Sequence, residues 1–343
     1  MTIILLFGGK SPEYEISLKS AAAVLSHIDH SRFSVYPVGI TPKGVPYYYQ
    51  GEIANIANGQ WEQDQAHLFP LGFEKGKVHI ASHPSISPDV VFPMLHGDFG
   101  EDGRLQGMLD CLGIPYVGCG PLCSAVLMHK HFAKLQFQHS GIPTAKWVRV
   151  RKRDLCDPDT LLDKIENGLD TPEWFVKPAT GGSSIGASAV SQKDRLLPAL
   201  ANALRYSEEA LVEQRIFGLE CEVGVLDTKE RTIISRPAGI LTSHSFYDFE
   251  AKYKEPDTRL ALPAPIPHEA AVLMQTYAKR AFLDLGCRQI SRFDFFYTTN
   301  GQILLSEVNT MPGMTERSLY PQMMQDQGIG FSALLTRLIC GAV

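Results

Sequence analysis

The sequence predicts an α/β fold, and three observations point to it. Short, almost wholly apolar runs, Thr2–Phe7 first among them, end in glycines or turns as buried parallel strands do. Stretches of helical length, rich in Ala and Leu, lie between such runs. A chain of 343 residues, at roughly 100–200 residues per domain, has room for two or three cores.

Thr2–Phe7 reads as a strand leaving the sheet at Gly8-Gly9, and Ser17–Ile28 as the helix after it. Strand signals return at Phe33–Ile40 and Asp89–Leu95. Leu105–Leu112 reads as a helix, and Pro115–Val117 opens another short strand. This alternation implies an α/β layer over about residues 1–118, with ligands near the carboxyl ends of its strands. Between Tyr47 and Ser87 the pattern is irregular and punctuated by Gly and Pro, which suggests an insertion. A helix is expected over Ser124–Ser140, followed by mixed segments up to Phe217. From Gly218 come an alternating strand, a Pro-rich connection at Pro256–Pro267 and a helix at Glu269–Leu285. Two strands and a last helix at Phe331–Cys340 complete the order.

Composition excludes several classes. With 32 basic against 37 acidic residues, a net charge of -5 and no dense Lys/Arg cluster, the chain carries no footprint for nucleic acid. No stretch approaches the ~20 apolar residues of a membrane helix. The apolar run Ile3–Phe7 is too short for a signal-peptide core, so a cytoplasmic location is expected. Seven scattered cysteines without a C-x-x-C pair argue against a zinc site or a disulfide framework and fit a reducing compartment. A small-molecule partner is expected, without nucleic acid or membrane.

The most informative segment runs from Ser291 to Asn309. Two runs rich in aromatic, β-branched and aliphatic residues flank Asn300-Gly301, a strong hairpin signal. If these two residues form the turn, Asp294 pairs with Glu307 and Arg292 with Asn309. All four polar groups then project from one face. Carboxylates directly opposite each other repel, whereas a divalent cation between them makes the arrangement favourable. Asp294, Glu307 and Asn309 offer only hard oxygen ligands, which suit magnesium (or manganese) bound with phosphates better than zinc.

Other segments are less specific. After Lys177-Pro178, the loop Gly181-Gly182-Ser183-Ser184 offers small residues whose N–H groups approach phosphate oxygens, with the lysine as a fixed charge. It is not a Walker A loop. Glu213 fits a ligand for a sugar or an amine, but it and Glu220 read more simply as ordinary exposed acids. His96, at the carboxyl end of a strand and followed by Gly97, reads equally as a site residue and a structural one. Glu13, just past the first strand, fits both a ligand position and a helix-start acid.

Taken together, the strings Gly8-Gly9-Lys10-Ser11-Pro12-Glu13, His96-Gly97, Gly100-Glu101-Asp102-Gly103, Lys177-Pro178 with Gly182-Ser183-Ser184, Glu250-Ala251-Lys252-Tyr253, Arg292-Phe293-Asp294 and Glu307-Val308-Asn309-Thr310-Met311-Pro312-Gly313 resemble the D-alanine–D-alanine ligases. The resemblance spans nearly the whole chain. It implies a three-domain ATP-grasp fold with a Rossmann-like N-terminal domain: 1–118, a central subdomain 119–217 and a C-terminal subdomain 218–343, with a mobile lid near 243–262. It implies a homodimer and a reaction in which ATP phosphorylates one D-alanine and a second attacks the D-alanyl phosphate, for peptidoglycan precursor synthesis.

In residue terms, the resemblance assigns magnesium (or manganese) to Asp294, Glu307 and Asn309. ATP falls to Lys130, Lys177, Ser183, Ser184, Glu213, Glu220 and Lys252. Glu13 is implied to take the first ammonium, beside His96, and to link with Ser183 and Tyr253. Arg292 and the Gly313 N–H would hold the oxyanion. Ser318 is implied to bind the second carboxylate, with Leu319 forming an apolar wall suited to a methyl group. The same strings also resemble the resistance-type ligases that join D-alanine to D-serine or D-lactate, which is the alternative expectation. Leu319 and Tyr253 favour D-alanine.

Overall fold

The computed structural model describes residues 1–241 and 259–343. Strands β1 (Thr2–Gly8), β2 (Ser34–Ile40), β3 (Pro46–Tyr49), β4 (Leu68–Glu74), β5 (Lys77–Ile80) and β6 (Val90–Met94) form one sheet in the order β5-β4-β3-β2-β1-β6. β1 is central to its parallel part, paired with β2 on one side and β6 on the other. Its unbroken apolar run follows from burial on both faces. Ile3, Leu5 and Phe7 pack with α1 (Tyr14–His27), while Ile4 and Leu6 share a core with Leu105 and Leu109. The segment expected to be an insertion is part of this sheet. It holds α2 (Ile53–Ala57) and adds β3, β4 and β5 as antiparallel strands, whose short lengths and prolines masked the period-2 pattern. After α3 (Arg104–Leu112), Pro115–Val117 contributes only an isolated bridge between Val91 and Tyr116, not a strand.

The single helix expected over Ser124–Ser140 is two helices, α4 (Pro121–Met128) and α5 (Lys130–His139). His129 between them is extended, and the Lys130 N–H bonds to the Ala179 carbonyl at 2.8 Å instead of continuing α4. β7 (Trp147–Arg151), β8 (Trp174–Pro178), β9 (Ser188–Val190) and β10 (Glu209–Gln214) form an antiparallel sheet in the order β7-β10-β8-β9. The amphipathic helices α6 (Pro158–Leu169) and α7 (Leu196–Ala203) share its core through Leu161, Ile165, Leu196 and Leu200.

The third sheet contains β11 (Gly218–Asp227), β12 (Thr232–Ile234), β13 (Ala238–Leu241), β14 (Arg259–Ala261), β15 (Ile290–Thr298) and β16 (Ile303–Asn309). Its order is β14-β13-β11-β15-β16, with β12 also on β11. One face packs on α8 (His268–Asp284) through Met274, Ala278, Phe282, Phe293 and Phe295. α9 (Leu319–Asp326) and α10 (Phe331–Gly341) bring Tyr320, Met324, Leu334 and Leu338 into the core around β1 and α1. The first strand and the last helix therefore share one core. The expected lid lies outside the described residues except at its end, where β14 pairs with β13. Tyr253 and Lys252 also lie outside them. No described helix is long and apolar enough to cross a membrane.

Candidate active site

The hairpin of β15 and β16 arranges the metal-type set through two departures from the simplest reading. The turn is a three-residue loop: the Thr298 N–H bonds to the Gln302 carbonyl at 2.9 Å, and Gly301 adopts a left-handed φ of +82°. Tyr297 therefore pairs with Ile303 and Phe295 with Leu305, one residue off the register counted from Asn300-Gly301. A bulge between Asp294 and Phe295 then absorbs one extra residue, restoring Asp294 opposite Glu307 and Arg292 opposite Asn309. Burial along β16 follows the same shift: Ile303, Leu305 and Val308 face the core, with Ser306 and Glu307 both turned off it. The expected same-face set is present, delivered by a turn and a bulge that cancel.

Arg292 is at the centre of this face. Its Nε and Nη2 reach the two Asp294 oxygens at 2.7 Å each, and Nε lies 3.1 Å from Glu222 Oε2. Burial alone would lower the guanidinium pKa, but Asp294 and Glu222 hold it well above its ordinary value. Asn309 Nδ2 donates to Asp294 Oδ2 at 2.9 Å. Glu222, buried opposite Asp294 on β11, was not singled out from sequence. The alternation Glu220-Cys221-Glu222 on a strand was the signal, since it puts both acids on one face.

A cleft of about 590 Å³ opens between the second and third sheets, lined by Lys130, Lys177, Glu213, Glu220, Glu307 and the Gly181–Ile185 loop, Ser183 and Ser184 among them. Glu213 is buried between two ammonium groups, Lys177 Nζ and Lys134 Nζ, each 3.1 Å away. Burial would push its carboxyl up, yet the two lysines bring it below its ordinary value. Desolvation lowers Lys134 to about 8, partly offset by Glu213. Lys134 also donates to Thr144 Oγ1 at 2.7 Å and the Ala145 carbonyl at 3.2 Å. It too was missed, although it lies one turn after Lys130 on the same helix face. Lys130 Nζ donates to the Gly181 carbonyl, and its pKa is lowered by desolvation.

Glu13 occupies the N-cap position of α1 without capping it. Its carboxylate instead accepts from Ser183 Oγ at 2.6 Å, joining the first strand's loop to the Gly/Ser loop of the second sheet. Gly97, at φ +68°, makes room for it: a Cβ there would lie 2.5 Å from Glu13 Oε2. His96 is buried, with Nδ1 at 3.0 Å from the Met311 carbonyl and Nε2 at 3.3 Å from Ser20 Oγ. Burial lowers its pKa and keeps the ring neutral, so Nδ1–H donates and Nε2 accepts.

Glu101, unassigned from sequence, ties the same two regions. It accepts from the Gly97 and Met311 N–H groups, both at 2.9 Å. Burial, reinforced by the Glu13 charge, raises its pKa from 4.5 to about 7. Between those values the folded protein holds a proton that the unfolded chain has released, so stability falls as pH rises through this window. The expected loss is about 3 kcal/mol from pH 5 to 8. Urea unfolding should find that Glu101→Gln lacks this loss, and a constant gap between variant and wild type would refute the assignment.

Ser318 stands at the N-cap position of α9 without capping it: its Oγ instead accepts from the Thr315 N–H at 3.1 Å and lies 2.7 Å from Thr315 Oγ1. A Cβ on Gly313 would meet that Oγ at 3.0 Å, so the Gly313 backbone lies against Ser318. Leu319, half-buried, packs on the core around β1. The cysteines are not all scattered: Cys119, Cys123 and Cys287 converge, their sulfurs within 4.8 Å of one another. Distant segments meet there, which spacing along the chain does not reveal.

Two family models match the chain: one described as D-ala D-ala ligase N-terminus over residues 2–119, the other as D-ala D-ala ligase C-terminus over residues 136–340. A D-alanine--D-alanine ligase of Acetivibrio thermocellus is 38% identical, over 99% of this chain and 95% of its own. The vancomycin C-type resistance protein VanC1 of Enterococcus gallinarum is also 38% identical, over 98% of this chain and 97% of its own. The solved VanG D-Ala:D-Ser ligase from Enterococcus faecalis aligns with a TM-score of 0.91 at 38% identity, covering 100% of this chain and 99% of the other. The D-alanine-D-alanine ligase from Coxiella burnetii aligns at 0.85 and 30% identity, covering 100% and 95%.

Proposed function

The chain belongs to the D-alanine–D-alanine ligase family, has the ATP-grasp fold and is an ATP-dependent ligase; from that premise we propose that it joins two D-alanines through a D-alanyl phosphate. The observation that carries this reading is the linkage of three polar groups of residues. Glu307 and Ser183 line the lysine-bearing cleft, and each leads to the next set: Glu307 pairs on the hairpin with Asp294, which Arg292 holds, and Ser183 holds Glu13. We place the reaction in the cytoplasm, in peptidoglycan precursor synthesis, and take a homodimer as the working unit. We divide the chain into three domains, 1–118, 119–217 and 218–343, with one sheet in each.

Asp294, Glu307 and Asn309 fit magnesium or manganese, because all three offer oxygen donors from one face of a strand pair. Bound there with ATP, such an ion would neutralise phosphate charge. Lys130 and Lys177 reach the cleft with charges for the α- and β-phosphates, and the Ser183-Ser184 loop closes beside them. Glu213, paired with Lys177, and Glu220 line the same cleft for the adenine and ribose. Glu13 takes the first ammonium, and its bond from Ser183 couples that binding to the ATP loop. Neutral His96 orients the Met311 carbonyl and with it the approach to Gly313. As the second amine attacks the acyl phosphate, Arg292 and the Gly313 N–H hold the oxyanion while phosphate leaves. Ser318 binds the second carboxylate. For Lys252 and Tyr253, outside the described residues, the proposed roles stay those that the family resemblance implies.

A second reading, D-alanine–D-serine ligation, is favoured by the likeness to the VanG D-Ala:D-Ser ligase. Against it, Leu319 offers the acceptor an apolar wall, worth about 1–3 kcal/mol for a methyl over a hydroxymethyl group. Mass spectrometry of the product formed from ATP, magnesium, D-alanine, D-serine and D-lactate together decides between them. D-alanyl-D-alanine is expected to dominate. A dominant mixed product would move the chain to the second reading, and intact ATP with no product would end both.

A further inference from the structure

We propose that Cys119, Cys123 and Cys287 form a binding site for one thiophilic d10 cation, Zn(II) or Cu(I), at the joint between the N-terminal domain and the third sheet. The site stands apart from the ATP cleft and does not depend on the ligase reading. Its three sulfurs come from three places: the loop after Tyr116, the first turn of α4, and the residue before Arg288 on the approach to β15.

All three thiols are buried, at 2%, 6% and 7% exposure for Cys119, Cys123 and Cys287. The Cys123 and Cys287 sulfurs are 3.5 Å apart, and all three lie within 4.8 Å. A metal–sulfur distance near 2.3 Å places sulfurs about 3.8 Å apart in a tetrahedron and about 4.0 Å apart in a trigonal plane. The Cys123–Cys287 pair lies a few tenths of an ångström inside both, and the 4.8 Å limit on the other two pairs includes both.

Donors face the Cys119 sulfur, beside the Arg288 and Ile290 carbonyls at 3.8 and 3.9 Å. The Arg288 N–H donates to Cys119 Sγ at 3.5 Å, and Ser291 Oγ lies 3.6 Å from the same sulfur. The Arg288 guanidinium lies against Gly120, where a Cβ would be 3.5 Å from its Nη2, and supplies nearby positive charge. Thiol hydrogen bonds from Cys123 and Cys287 hold Cys119 well below its ordinary pKa and push those two thiols above theirs. Binding would replace those shared protons with the cation and release them to solvent; no electron moves. Soft thiolate donors select these ions over magnesium. The bound ion would clasp the segment leaving the N-terminal domain to the strand that presents Arg292 and Asp294.

The test is an anaerobic titration of the reduced full-length protein with Zn(II), and separately with Cu(I), against a chromophoric chelator. Magnesium and ATP are included to occupy the carboxylate site. Expected are one equivalent bound, thiolate-to-metal charge-transfer absorption and a raised Tm. Cys123→Ser and Cys287→Ser should each weaken binding by more than about 100-fold, beyond the range for losing a supporting hydrogen bond. A protein carrying Cys111→Ser, Cys156→Ser and Cys340→Ser should bind as wild type. Preference for Zn(II) would indicate a four-coordinate site completed by water or Ser291, and preference for Cu(I) a three-coordinate one. Absence of the charge-transfer band with both ions in the wild type overturns the proposal even if the serine variants fail to fold. Undiminished affinity in Cys123→Ser overturns it as well.

Discussion

Arg292→Lys is expected to fold, to bind ATP nearly as well as the wild type, and to lose roughly 10²–10³-fold in kcat. The guanidinium spans both Asp294 oxygens at 2.7 Å and still reaches Glu222 at 3.1 Å, a fork that fixes its plane over the strand face. An ammonium carries the same charge but is a single point with no fork, so it can balance one carboxylate while leaving the oxyanion position unserved. Arg292→Ala should differ in kind. It removes the guanidinium that pairs with the buried Glu222 and its neighbour Asp294, at a cost of about 3–5 kcal/mol in folding stability. Adding Glu222→Gln to that variant should recover part of the stability and none of the turnover. Steady-state kinetics with urea unfolding separate the two effects; an Arg292→Lys enzyme with kcat within tenfold of wild type would remove Arg292 from the chemistry.

How much of this site was legible in the sequence depended on whether the signal was local. The pairing of Asp294 with Glu307 came from counting outward from Asn300-Gly301, and it holds at the site although the turn is one residue longer than counted. The bulge that rescues it is visible only as two successive off-core residues, Ser306 and Glu307, in a strand otherwise alternating. β1 was legible because burial on both faces leaves an unbroken apolar run. The break between α4 and α5 was not, because it is set by a bond from Lys130 to Ala179, 49 residues along the chain. Glu101 and the converging cysteines were hidden for the same reason. Their partners, Met311 and Cys287, are close only once the first and third sheets have packed. Lys134 and Glu222 were different: helix spacing and strand alternation placed each beside a residue already singled out.

Glu213→Gln is expected to destabilise the protein by about 3–5 kcal/mol, more than the loss of either lysine beside it. The asymmetry follows from charge count. Glu213 is the shared counter-ion of Lys134 and Lys177, both buried, so neutralising it leaves two ammonium groups facing each other across the floor of the cleft. Lys134→Met leaves one acid with one lysine and removes a costly buried charge, so its effect should be small. The pH dependence identifies the origin. Lys134, at about 8 in the folded protein, lies below its ordinary 10.5. Between these values the unfolded chain keeps a proton the folded protein has lost, and stability rises with pH. The rise should vanish in Lys134→Met. In Glu213→Gln it should begin at lower pH, since the remaining partners of Lys134, Thr144 and the Ala145 carbonyl, carry no charge. Urea unfolding of the three proteins at about pH 7 and about pH 9.5 measures both effects. A Glu213→Gln loss under about 1 kcal/mol, or the same pH slope in all three, would mean the lysines do not depend on this carboxylate.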